Sequence, residues 1–220
     1  MFAGVALAEE RFLGREEAVS SNLTTSFMSN RPFNQLQGLN PHHAERVLSY
    51  LLSRHNIALT IREMICLHAL IEVEHVLKYG QVCTGGAFGV WKHGPICKRL
   101  YAHLKELGYA QQEGCNQNPD YLDCIGTSKR MIFLAAKNTD RNRDDLSDAE
   151  LESMEAAFKQ LREMTIENGI MFFRGELEFL NKAWTRAYLQ NRDMCWYDVL
   201  DEYQKQTGED MSYIKSCIGL

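Results

Sequence analysis

Side chains that could bind a metal ion lie close together in the sequence between residues 75 and 97. They are Cys83, His93 and Cys97, with His75 one helical segment earlier. A structural zinc site takes four such ligands, usually with cysteines paired in a Cys-x-x-Cys spacing. No such pair occurs in the chain. We therefore expect no metal and no cofactor, and interpret the cysteines as small buried hydrophobic side chains.

A nucleophilic cysteine is the second chemistry that these residues could support. Cys97 is expected in the first turn of a helix beside Lys98, where the helix dipole and the cation would lower the pKa of its thiol, and His93 could act as its base. No third group that would orient the histidine is recognisable. The phosphate-loop signature is also absent. We predict that the protein is not an enzyme, with a hydrolase or transferase based on Cys97 and His93 as the least favoured alternative.

Two histidines share a face of the most hydrophobic predicted helix. His68 and His75 are seven residues apart, with Glu72 between them. Metallopeptidase chemistry of the His-Glu-x-x-His kind needs histidines four residues apart, so this spacing excludes it. The pattern predicts a polar seam or an exposed face.

The composition limits the partners of the protein. The 220-residue chain is 45% hydrophobic, enough for a substantial core, and its formal net charge is −5. An acidic chain has no overall field that attracts nucleic acid, so we expect no nucleic-acid partner. No apolar run reaches the roughly 18 residues of a membrane-spanning helix, and the seven cysteines are an odd number. These features predict a cytoplasmic protein with reduced thiols and no membrane segment.

Apolar periodicity predicts a mainly α fold of the α+β class. Helices are expected from Pro41 to about Asn56, Ile61 to Tyr79, Pro95 to Leu107, Ser147 to before Gly169, Met171 to Leu189, and over Trp196 to Tyr203. Capping boxes at Thr60 and Ser147 start two of these helices. Residues 121–136 are expected to form a small β-hairpin or wing.

The predicted domain organisation has three parts. Residues 1–40 are rich in Ser, Asn, Thr and Gln without sustained periodicity, and we expect a flexible arm. A helical domain is expected over residues 41–192, followed by a C-terminal helix and tail over residues 193–220. We also hypothesise that translation starts at Met28, because residues 21–23 read like the translation of a transfer-RNA arm.

The chain is organised around a glycine-rich segment, residues 78–107. Gly80 is expected to cap the preceding helix in the left-handed conformation, and Pro95 is expected as the first residue of the next helix. Further glycines lie between them at positions 85, 86, 89 and 94. This density predicts tight turns or close backbone approach. Such a segment serves either as a binding platform or as a connection within the core.

The order of residues in this segment resembles the Panacea domain family. The matching residues are Tyr79-Gly80, Thr84-Gly85, Phe88, Trp91, His93-Gly94-Pro95, Leu100-Tyr101, Leu104 and Gly108. The resemblance extends over residues 44–190 and is weaker after residue 146. The family's lysine-leucine pairs at the start of the central helix are replaced here by residues 62–65, and the polar loop at 115–120 is longer.

The resemblance implies a non-catalytic protein of prophages and toxin–antitoxin pairs that neutralises a partner toxin by direct binding. One branch of the family resembles an adaptor that delivers its toxin to a cellular protease. Interface energies are dominated by Trp, Tyr and Arg. We therefore expect the partner to contact Trp91, His93, Lys98, Arg99 and Tyr101, and expect a structural motif of Tyr79, Gly80, Gly85, Phe88, Gly94 and Pro95. Packing inside the core is the alternative role for Trp91 and Tyr101.

The second functional hypothesis is a winged-helix DNA-binding regulator. The predicted order of helix 61–79, glycine turn, helix 95–107 and hairpin is that of a winged helix. Lys92, Lys98, Arg99 and Lys105 would then contact phosphates. The net negative charge of the chain argues against it.

Overall fold

The computed structural model of the chain describes residues 38–91, 94–112, 121–128, 131–136, 145–167 and 170–219. Their helices are α1 (Pro41–His55), α2 (Ile61–Tyr79), α3 (Lys98–Gln112), α4 (Asp148–Gln160), α5 (Glu178–Leu189), α6 (Trp196–Thr207) and α7 (Ser212–Cys217). Their strands are β1 (Leu59–Thr60), β2 (Gly89–Trp91), β3 (Gly94–Ile96), β4 (Leu122–Ser128), β5 (Met131–Ala136), β6 (Met164–Glu167) and β7 (Ile170–Phe173). The mainly α, α+β prediction is confirmed. The predicted arm up to residue 37, including Met28, and the polar loop at 115–120 lie outside the described residues.

The helix α2 forms the centre of the core, as its sequence predicts. It starts with the predicted capping box, in which the Thr60 hydroxyl accepts from the Glu63 backbone N–H and the Glu63 carboxylate accepts from the Thr60 N–H. Its apolar residues surround the helix axis, and the segment from Met64 to Val73 is entirely buried. Helices α1, α3 and α4 all contact it.

The three-stranded sheet has the order β1-β5-β4, and both pairings are antiparallel. Of the described helices, three precede the β4–β5 hairpin, and the short strand β1 between the first two of them pairs with β5. This is the topology of a winged helix, with α3 as the third described helix. The additional β2–β3 hairpin is inserted between α2 and α3. The predicted hairpin at 121–136 and the winged-helix-like order are therefore present in the structure.

The start and end of α3 differ from the prediction. Pro95 lies in β3 opposite Val90, and the helix begins only at Lys98. The carbonyl of Cys97 accepts the N–H of Tyr101, so Cys97 is the residue that precedes the helix. Pro95 fits a two-stranded hairpin because an edge strand does not need every backbone N–H. Gly108 is buried within the helix, which continues to Gln112, so the predicted end at Leu107 is wrong.

Two predicted helices are shorter than their apolar patterns suggested. The helix α4 ends at Gln160, and residues 164–167 pair with residues 170–173 as strands β6 and β7 instead of continuing the two helices. The side chain of Asn181 binds both the backbone N–H and the carbonyl of Phe173, at 3.0 and 2.6 Å. The strand partners lie 3 to 9 positions apart and Asn181 lies 8 positions from Phe173, and a helical period of 3.6 residues does not indicate either contact.

The last helices pack on one another and on the core. The helices α5 and α6 contact each other extensively, and Val199 and Leu200 are completely buried. Arg192 donates to both carboxylate oxygens of Asp198 at 2.6 Å, which fixes the turn into α6. Among the described helices, none combines the length and the apolar character that crossing a bilayer requires.

Candidate partner-binding surface

The glycine loop, which we define as residues 80–88, is bound to α2 by one buried carboxylate. Glu72 accepts hydrogen bonds from the backbone N–H of Cys83 at 3.0 Å, and from the backbone N–H and hydroxyl of Thr84 at 2.7 and 2.5 Å. Its side chain is fully buried. Burial raises the pKa of this carboxyl to about 7, although the hydrogen bonds from Thr84 act in the opposite direction. The path of the loop is therefore fixed from inside the core.

His68 completes this buried polar contact. Its Nε2 lies 2.8 Å from the Thr84 hydroxyl and 3.4 Å from the Glu72 carboxylate. Burial lowers the pKa of His68 to about 3, so the ring is neutral at neutral pH. Because the Thr84 hydroxyl donates to Glu72, the ring N–H at Nε2 donates to the Thr84 oxygen. His75 is also buried and binds Ser153 at 3.0 Å, so the predicted polar seam is confirmed and an exposed face is excluded.

Two glycines of the loop are required by close contacts. Gly80 ends α2 at φ 67°, as predicted, and a Cβ atom there would lie 2.9 Å from the Cβ of Cys217 in α7. At Gly86 a Cβ atom would lie 2.6 Å from Cε1 of the His68 ring. A methyl group at either position would displace buried atoms. These positions maintain the packing of the loop.

The remaining motif residues also have structural contacts. The Tyr79 hydroxyl donates to Glu152, and Phe88 is buried edge-on against Trp196 with ring centroids 5.1 Å apart. Gly85 and Gly94 have φ values of 81° and 119°. Gly94 and Pro95 are buried in β3. The contacts of these motif residues are consistent with the structural role expected for them.

The α3 outer face, which we define as Lys98, Arg99, Ala102, Lys105 and Glu106, is exposed to solvent. Leu100, Leu104 and Leu107 anchor the opposite side of the helix in the core. Lys98 lies 3.4 Å from Asp193, with both side chains more than half exposed. Such an exposed pair contributes little to stability and leaves both groups accessible. The surface carries three cations and one carboxylate.

The structure places the predicted contact residues in different environments. Lys98 and Arg99 lie on the α3 outer face, whereas Tyr101 is half-buried and packs against the core, with Lys105 over its ring at 5.9 Å. Trp91 pairs with Gly94 in the β2–β3 hairpin. The side chain of Trp91 and the whole of His93 lie outside the described part of the chain.

Cys97 does not have the properties of a nucleophile. It is buried, and burial raises the pKa of its thiol, although backbone N–H groups at the start of α3 act in the opposite direction. The sequence-based expectation of a lowered pKa is therefore wrong, because loss of solvation exceeds the effect of the helix terminus. Among the described residues, the metal-ligand atoms that group with Cys83 are those of His43 and Glu150.

Exposed aromatic and aliphatic side chains near the C-terminus were not identified from the sequence. They are Tyr188 and Leu189 at the end of α5, Tyr197 on α6 and Tyr213 on α7. Tyr197 lies under the ammonium group of Lys215, with 5.3 Å to the ring centroid. Tyr188 lies outside the buried side of its helix, and this position was the feature of the sequence that could have predicted its exposure.

Residues 70–168 match the family model described as "Antitoxin SocA-like, Panacea domain". The match includes the glycine loop, all of α3 and the β4–β5 hairpin. It confirms for this segment the resemblance to the Panacea domain family that the sequence motif indicated. Neither the curated proteins nor the solved structures contain a match to the chain.

Proposed function

We propose that this chain is an antitoxin-like module that neutralises a protein toxin in the cytoplasm by binding it through the α3 outer face. The observation that supports this most is the match of residues 70–168 to an antitoxin-like family, because the match includes α3. Internal contacts hold the backbone of the glycine loop, so we assign the partner contact to the exposed side of α3, the next helix of the motif region.

The chemistry of the α3 outer face favours an acidic partner surface. Lys98, Arg99 and Lys105 are exposed and point away from the apolar side of their helix. Complementary charge accelerates association and selects among partners, while Arg also supplies planar, paired hydrogen bonds. The proposed activity needs no catalytic group, which agrees with the raised pKa of the Cys97 thiol. We further propose that the protein delivers the bound toxin to a cellular protease.

The test is capture of the partner by tagged protein expressed in its native host. The wild type is expected to retain one protein in a stoichiometric amount, and the Lys98→Glu, Arg99→Glu, Lys105→Glu variant is expected to lose it. Exposed cations elsewhere provide a control with the same change of charge: Lys159→Glu, Arg162→Glu, Lys182→Glu. Circular dichroism of both variants checks folding. Capture of no protein by the wild type contradicts the antitoxin proposal, and equal capture by both variants contradicts the assignment to α3.

Protease delivery is tested separately by following the captured partner in living cells. The half-life of the partner is measured after synthesis is stopped, with and without this protein. Adaptor activity predicts a shorter half-life with the wild type and no change with the α3 variant. An unchanged half-life together with neutralisation indicates direct inhibition instead.

A DNA-binding regulator is the second candidate function, and the strand order β1-β5-β4 favours it. In a winged helix the third helix enters the major groove, and here that helix carries Lys98, Arg99 and Lys105 on its exposed side. Three phosphate contacts predict a slope of about −3 in a plot of log K against log salt concentration. Absence of salt-dependent binding to a mixed-sequence duplex would remove this candidate.

A further inference from the structure

Three side chains with different metal-binding atoms converge from distant parts of the chain. They are His43 in the first turn of α1, Cys83 in the glycine loop and Glu150 in the first turn of α4. A ring nitrogen, a thiol sulfur and a carboxylate oxygen lie within 4.8 Å of one another. The Nε2 of His43 is 2.6 Å from Oε1 of Glu150.

The backbones that carry His43 and Cys83 are held by hydrogen bonds. The N–H of His43 donates to the side chain of Asn40 at 3.2 Å, and the N–H of Asn40 donates to the Thr84 carbonyl at 3.1 Å. The N–H of Cys83 donates to Glu72 at 3.0 Å. The start of α1 is thereby joined to the residue that follows Cys83.

Glu150 is held by the capping box of α4. Its Oε2 accepts from the backbone N–H and the hydroxyl of Ser147, both at 2.7 Å. Oε1 remains directed at His43. The side chains of His43 and Glu150 are 23% and 14% exposed, so an ion could reach them from solvent. The geometry therefore resembles a site whose ligands are already oriented.

We propose that His43 Nε2, the Cys83 thiolate and Glu150 Oε1 bind one zinc ion. Nitrogen, sulfur and oxygen donors together suit zinc, whereas calcium and magnesium prefer oxygen ligands alone. Tetrahedral zinc separates neighbouring ligand atoms by about 3.3–3.8 Å, so the His43–Glu150 contact opens by about 1 Å on binding. The thiol proton leaves to solvent when the sulfur binds the metal.

Three protein ligands leave one coordination position for water. The ion would connect α1, the glycine loop and α4. These three elements are far apart in the sequence. Zinc binding at this site does not depend on partner binding. Only one of the three ligands is a cysteine, so the site has no Cys-x-x-Cys spacing.

The test is a zinc titration of chelator-treated protein against a chromophoric chelator. The wild type is expected to bind one zinc per chain. The His43→Ala, Cys83→Ser and Glu150→Gln variants should each bind at least tenfold more weakly, and Gln at position 150 can still complete a capping box. Matched controls are His55→Ala and Cys195→Ser, which lie outside the cluster and should keep wild-type affinity. Zinc binding that all three site variants retain overturns the proposal.

Cobalt substitution of the wild type gives a readout that does not depend on a variant. Cobalt bound at this site is expected to show a thiolate-to-metal charge-transfer band, and a cobalt complex without it overturns the proposal. Zinc at 100 times its dissociation constant should also raise the melting temperature of the wild type by about 5–10 °C. No rise in that temperature, with zinc bound, shows that the unfolded chain binds zinc as tightly as the folded protein, which overturns a site formed by the fold.

Discussion

The glycine loop and the α3 outer face lie on either side of the β2–β3 hairpin in the sequence, and their physical character is opposite. The loop is held from within by Glu72, and its glycines lie against His68 and Cys217. The α3 outer face has exposed charged side chains. One of them, Lys98, pairs with Asp193, and both side chains of this pair are more than half exposed. The motif residues that carry the resemblance to the family therefore mainly maintain the scaffold. Residues that contact a partner are to be sought on the surface that the scaffold presents.

The largest effect that distinguishes the two regions is expected from Glu72→Ala. The substitution leaves the N–H groups of Cys83 and Thr84 buried without their acceptor, which should lower the free energy of unfolding by about 3–5 kcal/mol. Urea unfolding followed by circular dichroism measures this change. The control is Glu106→Ala on the α3 outer face, for which a change within about 0.5 kcal/mol is expected. Equal losses in both variants would contradict the distinction between the regions.

The pH dependence of stability tests the same carboxylate. The pKa of Glu72 is raised to about 7 in the folded state from 4.5, so the folded state holds a proton that the unfolded state releases. This contribution to stability is present below pH 4.5 and is lost as the pH rises to about 7. Urea midpoints across this range should therefore fall more steeply for the wild type than for Glu72→Gln. Parallel curves for the two proteins would show that Glu72 does not titrate in this range.

A smaller effect is expected from two glycines that differ in their surroundings. Gly80 and Gly208 both end helices at positive φ, but a Cβ atom at Gly208 meets nothing within 4 Å. Gly208→Ala should cost about 1 kcal/mol from backbone strain, whereas Gly80→Ala should cost about 2–3 kcal/mol because it also displaces Cys217. Thermal unfolding of both variants measures the difference. Equal costs would mean that α7 moves freely away from the loop.

The smallest effect on stability is expected from charge reversal on the α3 outer face. Lys98→Glu removes one exposed ion pair, so the free energy of unfolding should change by about 0.5 kcal/mol or less. Chemical denaturation checks this value, and capture of the partner is measured on the same preparation. A large loss of stability would show that the face contributes to the fold and would weaken its assignment to partner binding.

The parts of the fold that depend on local contacts could be predicted from the sequence. The capping boxes at Thr60 and Ser147 and the left-handed cap at Gly80 involve residues up to four positions apart, and all three are present. The β6–β7 hairpin was missed because its apolar residues continue the helical period of their neighbours. Pro95 was assigned to a helix because it suits both a first helical turn and an edge strand. The pairing of Pro95 with Val90 decides between the two, and the apolar period of the helix that follows does not indicate that pairing.

The two candidate sites differ in the same way, since one depends on local spacing and the other on long-range packing. Exposure of Lys98 and Arg99 follows from their positions opposite Leu100 and Leu104 on one helix. The grouping of His43, Cys83 and Glu150 could not be predicted, because the first and last of these are 107 residues apart. Only the packing of three elements brings these side chains together.

The hydrogen bonds of Glu72 also bear on the order in which the chain folds. They join residues only 11 and 12 positions apart, so closing this contact costs little chain entropy and takes well under a microsecond once α2 forms. The His43–Glu150 contact spans 107 residues and has to wait for the rest of the chain. A ribosome needs seconds to add the residues that separate Thr84 from Glu150. The glycine loop can therefore close on α2 during synthesis, before α4 exists.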